Sequence, residues 1–129
     1  MPTILPPSDP RLSQNEEWRA VHACVVAVPT VANESIGGAY IPYPARLRRF
    51  RGQLRDCGSA NSTVIEVRVN GVAVAGSAVT IANTAPDNTT FSVSLDVALA
   101  AGDLVQVVAT AGATAALGLV TQADFVRDY

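Results

Sequence analysis

His22 is the only histidine in the chain, and it stands two residues from Cys24, one of two cysteines. Any Ser-His-Asp or Cys-His arrangement would have to use this histidine. In a strand, that spacing sends both side chains to the same side, with neighbours on one face roughly 6.5–7 Å apart. This does not give nucleophile geometry, and His22 is read as structural. The carboxylates are scattered: Asp9, Glu16, Glu17, Glu34, Asp56, Glu66, Asp87, Asp96, Asp103, Asp124 and Asp128. A glycosidase needs two of them facing each other across a cleft, and no spacing here suggests such a pair. Asp87 and Asp103 lie beside turn residues, where their oxygens would cap backbone donors. Cys24 and Cys57 are too few for a disulfide framework and too isolated for the paired ligands of a zinc site. Buried free thiols are expected, with a single Cys24–Cys57 bridge left open. There is no calcium-loop motif and no HExxH, so the chain is expected to be no enzyme and to hold no metal or cofactor.

The densest charged group is Arg46, Arg48, Arg49, Arg51 and Arg55. All nine basic residues are arginine, and the formal net charge is −2. A face for nucleic acid would want more net positive charge and aromatic side chains among the arginines, and Phe50 alone does not supply them. No nucleic-acid or membrane partner is expected. Arginine suits interfaces, so Arg46, Arg48, Arg49 and Arg51 are candidates for contact with carboxylates of a neighbouring subunit. A solvated strand face is the competing reading. Asn33-Glu34-Ser35, Asn61-Ser62-Thr63 and Asn88-Thr89-Thr90 match the glycosylation pattern. No basic region followed by an apolar core opens the chain, and these tripeptides are read as turn chemistry.

What must position these residues is a β-rich chain of 129 residues, 49% hydrophobic and 16% charged. So few charges fit either a surface partly buried against other chains or a high alanine content. No apolar run reaches the roughly 18 residues of a membrane helix. Residues 1–17 form an extended arm, because Pro2, Pro6, Pro7 and Pro10 remove backbone donors. Ile4, Leu5 and Leu12 are its apolar anchors, and the arm is either disordered alone or docked on a neighbour. Residues 18–129 form one domain, rich in β-branched residues with turns every 8–12 residues or so. "WRAVHACVVAV" is the first strand and "ANESIGG" a loop. "AYIPYPARLRRFRGQLRD" is a long strand or strand pair, with Pro42 and Pro44 at a strand start or an edge. Leu47, Phe50 and Leu54 also fit helical spacing, but the flanking prolines and arginines favour a strand with a bulge.

"IEVRVNGVAVAG" is a hairpin with a two-residue Asn-Gly turn. It places Val69 opposite Val72 and Val67 opposite Val74, on a core face that Ile65 extends. Glu66, Arg68, Ala73 and Ala75 form the outer face. Phe91, Val93, Leu95, Val97 and Leu99 alternate with Ser92, Ser94, Asp96 and Ala98, the period-two pattern of a half-buried strand. Gly102 turns the chain before the last strands.

The order "YIPYPARLRRFRGQL", "STVIEVRVNGVAVAG", "VALAAGDLVQVVATAG" and "LGLVTQADF" resembles tailed-bacteriophage virion proteins with jelly-roll-like β-sandwich domains. It covers roughly residues 39–125. The resemblance implies an all-β, jelly-roll-like sandwich of about eight antiparallel strands with a Pro-rich arm. It further implies a non-enzymatic capsid decoration protein on the virion exterior. Its partners would be the major capsid protein and copies of itself, as a homotrimer. The alternative is a receptor- or carbohydrate-binding module of a tail or fibre, with Trp18, Tyr40 and Tyr43 as sugar-stacking candidates.

Overall fold

The computed structural model describes residues 17–127, with side chains from residue 27 onward. The arm residues Ile4, Leu5 and Leu12 lie outside the described residues. Nine strands are present among the described residues: β1 (Glu17–Ala27), β2 (Glu34–Tyr40), β3 (Ala45–Asp56), β4 (Ser62–Val69), β5 (Val72–Ala73), β6 (Val79–Ala82), β7 (Thr89–Leu99), β8 (Leu104–Ala111) and β9 (Leu117–Arg127). One sheet has the order β1-β9-β3-β7. The other runs β2-β8-β4, with β5 and β6 both pairing the far side of β4. Every pairing is antiparallel. Leu47, Phe50, Leu54, Leu119 and Phe125 of the first sheet meet Ile65, Val67, Val105 and Val107 of the second in a fully buried core.

The local chemistry explains most of these boundaries. Asn70 and Gly71 both take positive φ, as the two central residues of a type I′ turn must. Val69 pairs with Val72 across that turn, as the hairpin pattern requires. Asn33, Asn61 and Asn88 also take positive φ, so all three glycosylation-like tripeptides begin on a left-handed turn asparagine. Gly102 has φ 90° in the turn before β8.

The arginine-bearing strand shows why its spacing looked helical. The register shifts between Leu47 and Arg49 against both neighbours, with Arg48 the extra residue relative to β9. This bulge resets the alternation, so Leu47, Phe50 and Leu54 all face the core although Leu47 and Phe50 are three residues apart.

Three expectations are corrected. "ANESIGG" is not a loop: residues from Glu34 form β2, which pairs β8 through Gly37 and Gly38 and includes a register shift. Backbone pairing outweighs the low strand propensity of glycine there. Val72 is not on the core side but 70% exposed, because β5 is a two-residue strand at the sheet edge. Finally, the register in β1 shifts between Val21 and Ala23, so the simple alternation behind the His22–Cys24 spacing is interrupted at His22. No Cys24–Cys57 bridge forms: Cys57 is a free, buried thiol that donates to Pro86 O at 3.5 Å.

Candidate functional site: an arginine face on the β9-β3-β7 sheet

Because β9, β3 and β7 lie side by side, their outward residues form rows across the sheet. The rows are Val120–Gln53–Thr90, Gln122–Arg51–Ser92 and Asp124–Arg49–Ser94. The inward row between the first two is Thr121–Gly52–Phe91. Gly52 has no side chain to fill its place. A Cβ there would collide with the Val120 carbonyl oxygen and come within 2.7 Å of Phe91 Cζ. Phe91 stays in place by packing against Phe50, with ring centroids 5.3 Å apart and planes tilted by 54°. Over this point lies an open groove of about 580 Å³, lined mainly by the polar outward residues.

Asp124 organises the face. It points outward, yet its side chain is only 4% exposed, because arginines close over it. Arg49 Nε donates to Asp124 Oδ2 at 3.0 Å, and Arg51 Nε lies 3.4 Å from the same oxygen. Gln122 Nε2 donates to the other oxygen at 2.7 Å. Across the sheet, Arg19 of β1 holds the register position opposite Asp124. A guanidinium carries five N–H donors, and these contacts use the Nε edge of Arg49 and Arg51. Both side chains remain more than a third exposed, so the two cations are held in place without being covered.

The other candidate arginines are placed differently. Arg46 pairs with Asp96 at 2.9 Å, and Arg48 lies 3.7 Å from the same carboxylate. These groups are well exposed, and such pairs contribute little stability. The four candidate arginines therefore share the sheet face in two groups, and the carboxylates they meet first belong to this chain. Asp124 and Gln122 were missed from sequence. The available signal was the alternation of the last strand, which puts Gln122 and Asp124 on one face beside a strand crowded with cations.

The aromatic candidates separate as well. Tyr40 is 73% exposed on β2, in the opposite sheet. Tyr43 has the Arg127 guanidinium carbon 4.4 Å from its ring centroid, so one ring face is already taken. The side chain of Trp18 lies outside the described residues.

The globular domain of a zebrafish complement 1qA protein matches this architecture with a TM-score of 0.50 and 11% identity, over 88% of this chain and 98% of that domain. The chain is a jelly-roll-like β-sandwich. A family 35 carbohydrate binding module from Clostridium thermocellum matches with TM-score 0.44 and 12% identity, over 91% and 95% of the two chains. The dimeric latent PorU from Porphyromonas gingivalis follows with TM-score 0.39 and 9% identity, over 87% of this chain and 13% of that one. At 11% identity the likeness to the complement domain concerns the fold alone. No family model and no curated protein matches the sequence.

Proposed function

We propose that this chain is a non-enzymatic binding module that seats on a larger protein assembly through the outer face of its β9-β3-β7 sheet. In its finest form, the reading is a capsid decoration protein of a tailed bacteriophage. It would sit on the virion exterior as a homotrimer, against the major capsid protein. The observation that carries the reading is the Arg49–Asp124–Arg51 group. One buried carboxylate holds two guanidinium side chains that remain more than a third exposed. Cations held in this way lose little further rotamer freedom on binding, which favours association. The mechanism is mass action: a subunit that binds only the assembled lattice stabilises it without chemistry.

The test is co-sedimentation of the full chain with shells assembled from the major capsid protein. The chain should pellet with the shells and raise their melting temperature. The double variant Arg49→Glu/Arg51→Glu should bind at least tenfold more weakly. Deleting residues 1–14, the arm outside the described residues, should also weaken attachment while the β-rich circular dichroism spectrum persists. A chain that stays in the supernatant and leaves the shells' melting unchanged rules this reading out.

The exposure of Tyr40 favours a second reading, a receptor- or carbohydrate-binding module, since a free aromatic face can stack on a sugar ring. A glycan array with hits that vanish in Tyr40→Ala would establish it.

A further inference from the structure

We infer that the groove above Gly52 is a recognition site for an extended acidic peptide, in which one Asp or Glu carboxylate is clamped by Arg49 and Arg51. This rests on the reading of the sheet face as a docking surface and names the chemistry of the segment that docks. The charge balance comes first. Two guanidiniums share one buried carboxylate, so the Arg49–Asp124–Arg51 group keeps one positive charge at the mouth of the groove. Asp124 takes up the Nε edges, which leaves the outer N–H donors of both forks for a second, incoming carboxylate.

The rest of the lining decides between ligand classes. A volume of about 580 Å³ suits a few peptide side chains or a short saccharide. A saccharide site wants a flat aromatic face for the ring. The groove's aromatic residue is Phe91, whose ring packs on Phe50 and across Gly52. Val120, by contrast, is 42% exposed beside the groove and offers an apolar contact to a neighbouring side chain. Gln122 stands in the Arg51 row and Gln53 in the next, and the carbonyl oxygen of each side-chain amide can accept from a peptide N–H. The favoured ligand is therefore an acidic residue flanked by an apolar one, in extended backbone.

The test uses the isotopically labelled full chain and the capped heptapeptide Gly-Ser-Val-Glu-Val-Ser-Gly, followed by amide NMR at millimolar peptide. The peptide should shift the amides of Gly52, Val120 and Gln122, and exchanging its Glu for Gln should weaken binding at least tenfold. Arg49→Gln/Arg51→Gln should abolish the shifts. Because that variant takes two cationic contacts from the buried Asp124 and can unfold, Ser92→Trp serves as the second variant. It keeps the ion group, fills the groove, and should also abolish binding. Equal binding of the Gln peptide, no shift at these amides, or tighter binding of a glucuronic acid oligosaccharide at the same amides each overturns the inference. Capsid shells that bind the chain equally well with Ser92→Trp would leave the docking reading standing and remove the groove from it. Peptide binding with no attachment to shells would do the reverse.

Discussion

Asn70 and Asp103 sit on different turns and hold each other: Asn70 Nδ2 donates to Asp103 Oδ1 at 3.0 Å. The same asparagine accepts from Leu104 N–H through its Oδ1 at 2.9 Å, while Asp103 Oδ2 accepts from Ala100 N–H at 2.8 Å. The Asn-Gly hairpin tip and the Gly-Asp turn are thereby locked together at one end of the second sheet. The two most legible turns of the sequence are thus one structural unit.

This unit gives the fold a pH dependence. The Asn70 amide, and after it the Ala100 N–H, hold the Asp103 carboxyl below its ordinary pKa of 3.8. A depressed folded pKa means that the unfolded chain binds the proton more readily. The stabilisation is complete above the unfolded value and is lost as pH falls through the folded one. Melting temperature should therefore fall with pH in the acid range below about pH 4. Asp103→Asn should flatten that slope, and an unchanged slope would remove Asp103 as its source.

Ser77 should matter more than its exposed neighbours. After β5 the chain leaves the ladder, and the buried Ser77 Oγ accepts from Val67 N–H at 3.1 Å and donates to Val74 O at 2.7 Å. Ser77→Ala leaves the Val67 N–H buried without that partner. The expected loss is about 1–3 kcal/mol of unfolding free energy in urea denaturation. Ala78→Ser, at an exposed position next door, should change stability by less than about 0.5 kcal/mol.

Legibility followed from how local each signal is. The hairpin depends on Asn70 and Gly71, whose left-handed preference acts on neighbouring residues, so it could be read directly. The alternation of β7 was equally visible, and burial there does alternate from Thr89 to Leu99. β2 was hidden because Gly37 and Gly38 suppress propensity, and its pairing with β8 involves residues about seventy positions away. The candidate site was half legible for the same reason. The arginines crowd one strand and announce themselves, but Asp124 meets Arg49 only through a register that the bulge at Arg48 fixes. The groove depends on Gly52 lying between Thr121 and Phe91, a relation among three strands that no local pattern carries.

Gly52→Ala tests that relation. The added methyl would meet the Val120 carbonyl oxygen, a backbone atom that cannot swing aside, and Phe91 Cζ at 2.7 Å. Overpacking of this kind costs about 1–3 kcal/mol. A lower denaturation midpoint with unchanged m-value is expected. Gly71→Asn, at the hairpin tip where a Cβ meets nothing within 4 Å, should be tolerated much better despite its positive φ.

The Arg49–Asp124–Arg51 group should respond asymmetrically to mutation. Asp124 is almost fully buried, whereas the arginines are 41% and 36% exposed. Removing the carboxylate by Asp124→Ala frees two cations that can turn to water, so each recovers most of its hydration. Removing both cations takes two charged contacts away from a carboxylate that water reaches poorly. Taking partners from a buried acceptor while the side chains around it stay solvated costs about 1–3 kcal/mol. The Arg49→Ala/Arg51→Ala variant should therefore lose about 1–3 kcal/mol, and Asp124→Ala distinctly less. Adding Asp124→Asn to the double arginine variant removes the buried charge and should restore part of the loss. Urea denaturation of the set, read as a mutant cycle, measures this directly. If Asp124→Ala proved the more damaging change, the carboxylate would be holding the strands together and not merely positioning the two guanidiniums.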